Sequence, residues 1–359
     1  MFLKARYALL SLLPILFLTA CGSRSGTHQS GLGPSSGLRE EKLASLGFIS
    51  LPLKMLSRDS RYAGKFLVNG KPVELLIDSG ANSTDLDTDL APKLKLHIDQ
   101  NSKVVSRGAL GRPVTSRVGL GILSAGPVSA LPFPFILADE SLGATATSRY
   151  DGQVGLDALE ALGALIDLGT GQMWVPSKGA RNAGREGIKP LGEVSGLGFN
   201  TLRLRPAKSL PHLVLESQWN GRLVTWIVDT GAEVSVLSAE SARQLGLQTH
   251  PSSARIIDAS GDNAAARSAF FENMVFDRLK VTEFQVAVIP LPVVRKNFSD
   301  RNGRIVDGII GMDFLKNTGA LFDAGSQLLY VGDAAAKGEV LSDRTLANQE
   351  TASSLGLQW

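Results

Sequence analysis

The stretch VNGKPVELLIDSGA, from Val68 to Ala81, returns 151 residues later as WNGRLVTWIVDTGA, from Trp219 to Ala232. The register runs on without a gap: Leu86 meets Leu237, Ala91 meets Ala242, Leu94 meets Leu245 and Leu96 meets Leu247. After a five-residue difference in loop length a second block repeats, DGQVGLDALEALGALIDLGTGQMWV from Asp151 and DGIIGMDFLKNTGALFDAGSQLLYV from Asp307. Eleven of its 25 positions are identical. The chain is one unit used twice.

Each unit reads as mostly β. Asn69-Gly70 and Asn220-Gly221 sit between alternating apolar runs, the strongest short-range hairpin signal. The strands that follow, Val73–Ile77 and Val224–Val228, run straight into Asp-Ser/Thr-Gly. Short helices are predicted over Asp89–Leu96 and Glu240–Leu247, then a glycine-bearing variable middle, then the Asp-Gly block with a short helix and a closing strand. This places one lobe at 48–175 and the other at 199–332. The Gly/Lys/Arg-rich segment 176–198 reads as a linker and 333–359 as a loosely ordered tail. With 359 residues, 43% apolar and 20% charged, the chain has ample material for two cores.

The N-terminus reads as an export signal. Lys4 and Arg6 precede an apolar run from Ala8 to Leu18, and Thr19-Ala20 precede Cys21, the one cysteine of the chain. Small residues before a cysteine resemble the bacterial lipobox, so residues 1–21 are expected to be a lipoprotein signal with Cys21 the acylated site. Residues 22–47 are expected to be a flexible tether, Gly/Ser-rich over 22–37, with Leu38–Leu46 able to form a short helix. The resemblance implies an exported protein held to a membrane by its lipid, with Gly22 after the cysteine pointing to the outer membrane, facing the periplasm, in a Gram-negative cell. The net charge of +3, with no basic run interleaved with aromatics, offers nucleic acid no footprint.

The paired Asp-Ser/Thr-Gly carries the chemistry. Hydrolysing a peptide bond without a metal or a nucleophilic side chain needs one carboxylate to take a proton from water and one carboxylic acid to protonate the scissile carbonyl. Two carboxyls about 3 Å apart cannot both ionise and so share one proton. Two copies of one loop, facing across a two-fold axis, bring Asp78 and Asp229 together. Gly80 and Gly231 allow a tight turn and close approach, and the hydroxyls of Ser79 and Thr230 are placed to bond across to the opposite loop. Asp157 and Asp313 read as helix caps or starts, and Asp167, Asp323, Asp151 and Asp307 as turn residues. Other chemistries fail on inventory. His28, His97, His212 and His250 lack metal spacing, no Walker motif is present, and Trp174 and Trp226 read as core.

Asp-Ser/Thr-Gly-Ala, the Leu-x-Leu helix downstream and the later apolar-apolar-Gly block together resemble the retropepsin-type aspartic proteases; Ile309-Ile310-Gly311-Met312-Asp313-Phe314-Leu315 is especially similar. The resemblance covers nearly all of the exported chain. It implies an all-β, two-lobed acid-protease fold with short helices, made by one chain as a monomeric pseudo-dimer. It further implies an endopeptidase with Asp78 and Asp229 as catalytic pair, supported by Ser79, Gly80, Ala81, Thr230, Gly231 and Ala232. Val154-Gly155 and Ile310-Gly311 would pass behind the loops. Flaps are expected over 104–118, around Gly108 and Gly111, and over 256–270, around Gly261. Ala81 and Ala232 follow the family. Asp85, against Val236 in the second unit, and Leu156 and Met312, where viral members carry arginine, depart from it. A peptide or protein substrate is implied, with no cofactor and no metal. The other reading is a catalytically silent lipoprotein that holds peptides or an envelope partner in the same cleft.

Overall fold

The computed structural model describes residues 36–56, 60–107, 109–110, 113–138, 150–177, 199–208, 210–258 and 262–332. Cys21 and the tail therefore lie outside the described residues, as does nearly all of the linker. The architecture is mainly β with short helices, in two lobes of the same topology.

Each lobe starts from its Asn-Gly turn. Asn69 and Gly70 take φ of 49° and 77°, and Asn220 and Gly221 take 47° and 73°. Two successive left-handed residues give the tight turn that matches strand twist. They join Tyr62–Val68 to Lys71–Ile77 and Leu213–Trp219 to Arg222–Val228, with Val68 opposite Lys71 and Trp219 opposite Arg222. The hairpin strand ending in the aspartate then pairs in parallel with the Asp-Gly block, Gly152–Val154 or Gly308–Ile310. On the far side of that block lies Asp85–Asp87 or Val236–Ser238. The sheet continues in the same order in both lobes, to the long hairpins His97–Arg107/Pro113–Ala125 and Thr249–Ile257/Asn263–Phe276. Each aspartate thus leaves a strand in the middle of its sheet.

The first lobe's short helix differs from its expected span. A 3-10 turn over Thr88–Leu90 leads into Ala91–Leu94, with Pro92 in the first turn and Lys95 in the left-handed region, φ 55°. The second lobe has one continuous helix, Ala239–Leu245, closed by Gly246. The polar departure at Asp85 is matched across the ladder. Its carboxylate accepts from the Gln153 backbone N at 3.0 Å and from Gln153 Nε2 at 2.7 Å. The second lobe puts Val236 opposite Ile309 at the same place. One buried polar pair replaces one apolar pair, and both oxygens of the Asp85 carboxylate find a donor within it.

The lobes share a six-stranded antiparallel sheet, which the repeat alone does not announce. Its order is Phe48–Pro52, Gln172–Pro176, Leu165–Asp167, Leu321–Asp323, Leu328–Gly332, Phe199–Arg203. At its centre Leu165 faces Asp323 and Asp167 faces Leu321. These strands are equivalent in the repeat, so the pairing runs around the pseudo-two-fold axis.

The short helix read over Leu38–Leu46, at the end of the tether, is present as Ser36–Ser45. Its Arg39 is buried and bonds Asp167 Oδ1 at 2.5 Å. The same guanidinium reaches Gly319 O at 3.4 Å and stacks over the Phe199 ring at 4.8 Å. Asp167 belongs to the first lobe, Gly319 and Phe199 to the second, so the helix fastens both from beneath. Arg39→Met keeps the apolar stem but strands a buried carboxyl. It is expected to destabilise the protein by about 3 kcal/mol in chemical denaturation, and an unchanged midpoint would mean that the helix is not docked in solution.

Candidate active site

The two Asp-Ser/Thr-Gly loops meet on the pseudo-two-fold axis, and four hydrogen bonds lock them together. Ser79 N donates to Thr230 Oγ1 at 2.9 Å and Thr230 N to Ser79 Oγ at 3.0 Å. In turn Ser79 Oγ donates to Val228 O and Thr230 Oγ1 to Ile77 O, both at 2.9 Å. Each hydroxyl therefore accepts from the backbone N–H of its counterpart in the opposite loop and donates to the carbonyl of the residue before the opposite aspartate. All four groups are buried, where such a cross-linked set stiffens what it joins.

Within each loop the aspartate is held by its own backbone. Asp78 Oδ1 accepts from Gly80 N at 2.8 Å and Ala81 N at 3.1 Å. Asp229 Oδ1 accepts from Gly231 N at 2.8 Å and Ala232 N at 3.0 Å. Oδ2 of each has no protein donor, and each carboxyl acts on the proton affinity of the other. A Cβ on Gly80 would overlap the Asp229 carboxyl, and one on Gly231 the Asp78 carboxyl. Glycine is needed here because each carboxyl rests on the opposite loop. Both aspartates are 0% exposed. Burial raises the affinity of both for a proton, and the charge on Asp78 raises Asp229 further.

Behind the loops, Asp78 N donates to Val154 O and Asp229 N to Ile310 O, both at 3.0 Å. A Cβ on Gly155 would strike the backbone of Ser83 and Ala81, and one on Gly311 that of Val234 and Ala232. Asp157 and Asp313 prove to be braces, not caps. The cap positions are Gly155 and Gly311, and the carboxylates tie each helix to the dyad loop. Thr84 Oγ1 donates to Asp157 Oδ1 at 2.7 Å, and Ser235 Oγ to Asp313 Oδ1 at 2.6 Å. Burial outweighs these donors and lifts both carboxyls to about 6. The folded chain then keeps protons that the unfolded chain releases above about pH 4. Its Tm is accordingly expected to fall as pH rises from about 4 to about 6. A Tm rising over that window would show that these carboxyls are ionised throughout.

The first long hairpin reaches the second lobe. Gly108, Gly111 and Gly261, the expected flap glycines, lie outside the described residues. Their neighbours are informative. Ala109 is fully buried in the apolar cluster of the second lobe, with Ala232, Val234, Ile256 and Leu291. Leu110 N donates to Asp258 Oδ2 at 2.9 Å, at the turn end of the second hairpin, while Asp258 Oδ1 accepts from Asp262 N. The hairpins therefore meet across the lobes and close the site.

Two side chains beside the dyad escaped the reading of single motifs. Arg61, 2% exposed, lies with its Nη1 at 3.5 Å from Gly231 O. His212, fully buried, has Nε2 at 2.8 Å from Gly80 O. Applying the 151-residue register upstream of the Asn-Gly turns pairs these two positions and would have revealed them. Of the other histidines, His97 and His250 are exposed. No group of three or more His, Cys, Asp or Glu among the described residues could hold a metal ion.

A family model described as aspartyl protease matches residues 65–158 and 215–314, which together span more than half of the chain. Each segment contains one Asp-Ser/Thr-Gly. No curated protein was found to match the sequence. Among solved structures the chain is similar to basic 7S globulin from soybean, at 10% identity, covering 83% of this chain and 100% of that one, with a TM-score of 0.45.

Proposed function

This chain belongs to the aspartyl protease family, and on that premise we propose that it is an active endopeptidase of the retropepsin type, with Asp78 and Asp229 as its catalytic pair. The observation that carries the reading is the placing of two buried carboxyls at the meeting of the two loops, each fixed by two amides and resting on the other's glycine. One carboxylate takes a proton from water as the water oxygen adds to the scissile carbonyl carbon. The partner acid gives its proton to the carbonyl oxygen. Collapse of the tetrahedral intermediate returns a proton to the leaving amine and breaks the C–N bond, leaving an acid and an amine. No cofactor takes part.

The substrate is an extended peptide that adds as a strand to the long hairpins. Because the dyad is closed over, the contact of Ala109 and Leu110 with the second lobe must open before a peptide enters. Cys21 and the apolar run before it support a lipid-anchored, exported enzyme working at the periplasmic face of an outer membrane.

The test is to incubate the purified full-length chain, in detergent, with a proteome-derived peptide library from about pH 4 to pH 7.5, with Asp229→Asn alongside. Cuts made by the wild type alone, read by mass spectrometry, are the expected result. A folded wild type that cuts nothing at any pH would leave the same cleft as a peptide-holding site.

A further inference from the structure

The register that superposes Asp78 on Asp229 also superposes Arg61 on His212. The two side chains make the same contact from opposite lobes, each with the carbonyl of the opposite dyad glycine. That carbonyl belongs to the residue on which one carboxyl rests. Asp78 lies against Gly231, which carries Arg61, and Asp229 lies against Gly80, which carries His212.

The chemistry of the pair differs. Arginine remains a cation at any working pH. Gly80 O can only accept, so His212 Nε2 is the donor, and its buried Nδ1 has no partner. That is the neutral tautomer, in a site where burial holds the imidazole down at about 3 and the Phe298 ring packs edge-on at 4.6 Å. At these two equivalent positions, one side of the site carries a buried positive charge and the other a neutral ring.

We propose that Arg61 is a positioning residue that, set against neutral His212, fixes Asp78 as the carboxylate and Asp229 as the acid of the dyad. This rests on the peptidase reading above and deepens it, because it assigns to each aspartate its part in the reaction. Asp78 takes the proton from water, and Asp229 donates to the carbonyl oxygen. A homodimeric site cannot make this distinction, since its axis gives both aspartates the same neighbours. A tandem repeat can. Proton affinities agree with the geometry. Burial raises both, Arg61 offsets part of that for Asp78, and no cation does so for Asp229. Among the described residues, Glu233 lies further along the second loop, and Asp157 and Asp313 lie behind the loops, each hydrogen-bonded to its own lobe.

The experiment compares wild type, Arg61→Gln, Arg61→Lys, His212→Gln and His212→Arg by cleavage against pH. A cation favours the ionised carboxyl, so it lowers the pH at which the pair gives up its first proton. Arg61→Gln should move the acid limb up by about one pH unit, and Arg61→Lys should restore it. His212→Gln removes an equivalent interlobe contact without changing charge. It should lower turnover and leave the limb in place, whereas His212→Arg should move the limb down. A folded Arg61→Gln with an unmoved limb, or an equal shift in His212→Gln, overturns the proposal. Should Arg61→Gln not fold, an unmoved limb in His212→Arg does the same.

The aspartate carboxyl-carbon resonances, assigned by their loss in Asp78→Asn and Asp229→Asn, read the asymmetry without any cleavage. In the wild type Asp78 should be ionised while Asp229 still holds its proton. Equal titration of the two would overturn the assignment even in an active enzyme. Unequal titration in a protein that cuts nothing would sink the peptidase reading alone.

Discussion

Asp78→Asn is expected to fold normally and to cleave peptides at least about a thousandfold more slowly than the wild type. The amide keeps the size of the carboxyl and can still donate to Asp229, so the loop geometry survives. It cannot ionise, and the pair loses the base that would take a proton from water. The stability change should have the opposite sign. Burial raises the proton affinity of both dyad carboxyls, so the folded protein at neutral pH holds a charge where a neutral group would be preferred. The unfolded chain gives these protons up near pH 4, and the folded form gains nothing from ionising them. Asp78→Asn should therefore raise the Tm at pH 7 by about 2 °C, and less at pH 4, where wild-type carboxyls keep their protons. A variant that is both inactive and markedly less stable at pH 7 would indicate a structural role for Asp78.

Gly231→Ala is expected to reduce kcat/KM by at least about a hundredfold, a loss of the size that a displacement near 1 Å produces at a reacting pair. Its φ is not in the left-handed region, so the backbone accepts alanine without strain. The obstacle is the carboxyl of Asp78, which occupies the space a methyl needs. The loops cannot part freely, because the four Ser79/Thr230 hydrogen bonds hold them together. The overlap should also cost about 2 kcal/mol of stability. Gly221→Ala is the contrast. It sits at φ 73° with no atom near its Cβ position, so it should cost about 1 kcal/mol from backbone strain and leave kcat/KM within twofold. If both variants lost activity alike, general destabilisation would be the cause, and the contact between Gly231 and Asp78 would not govern catalysis.

Much of this arrangement is legible in the sequence because it depends on short-range rules stated twice. Asn-Gly turns, β-rich strands and Asp-Ser/Thr-Gly are local signals, and the repeat multiplies their weight. Arg39 is different. It looks like an ordinary charge in a polar segment, and only folding brings it to Asp167, 128 residues away. Arg61 and His212 were hidden for another reason. Position relates them, but residue type does not, and a search for similar residues passes over two that have diverged. Asp157 and Asp313 were placed at the correct helix starts. Their bonds to Thr84 and Ser235 run across the sheet and leave no trace in local spacing. The shared sheet is likewise a product of lobe packing, since strands as short as Leu165–Asp167 and Leu321–Asp323 carry little pattern of their own.

That central pairing bears on how the molecule behaves on dilution. Leu165–Asp167 finds its partner, Leu321–Asp323, on the same covalent chain. The encounter that assembles the dyad is thus a ring closure governed by the effective molarity that the linker 176–198 sets, not an association between molecules. The fraction of assembled sites is a property of each molecule alone, the same for a few copies in a compartment as for a concentrated solution.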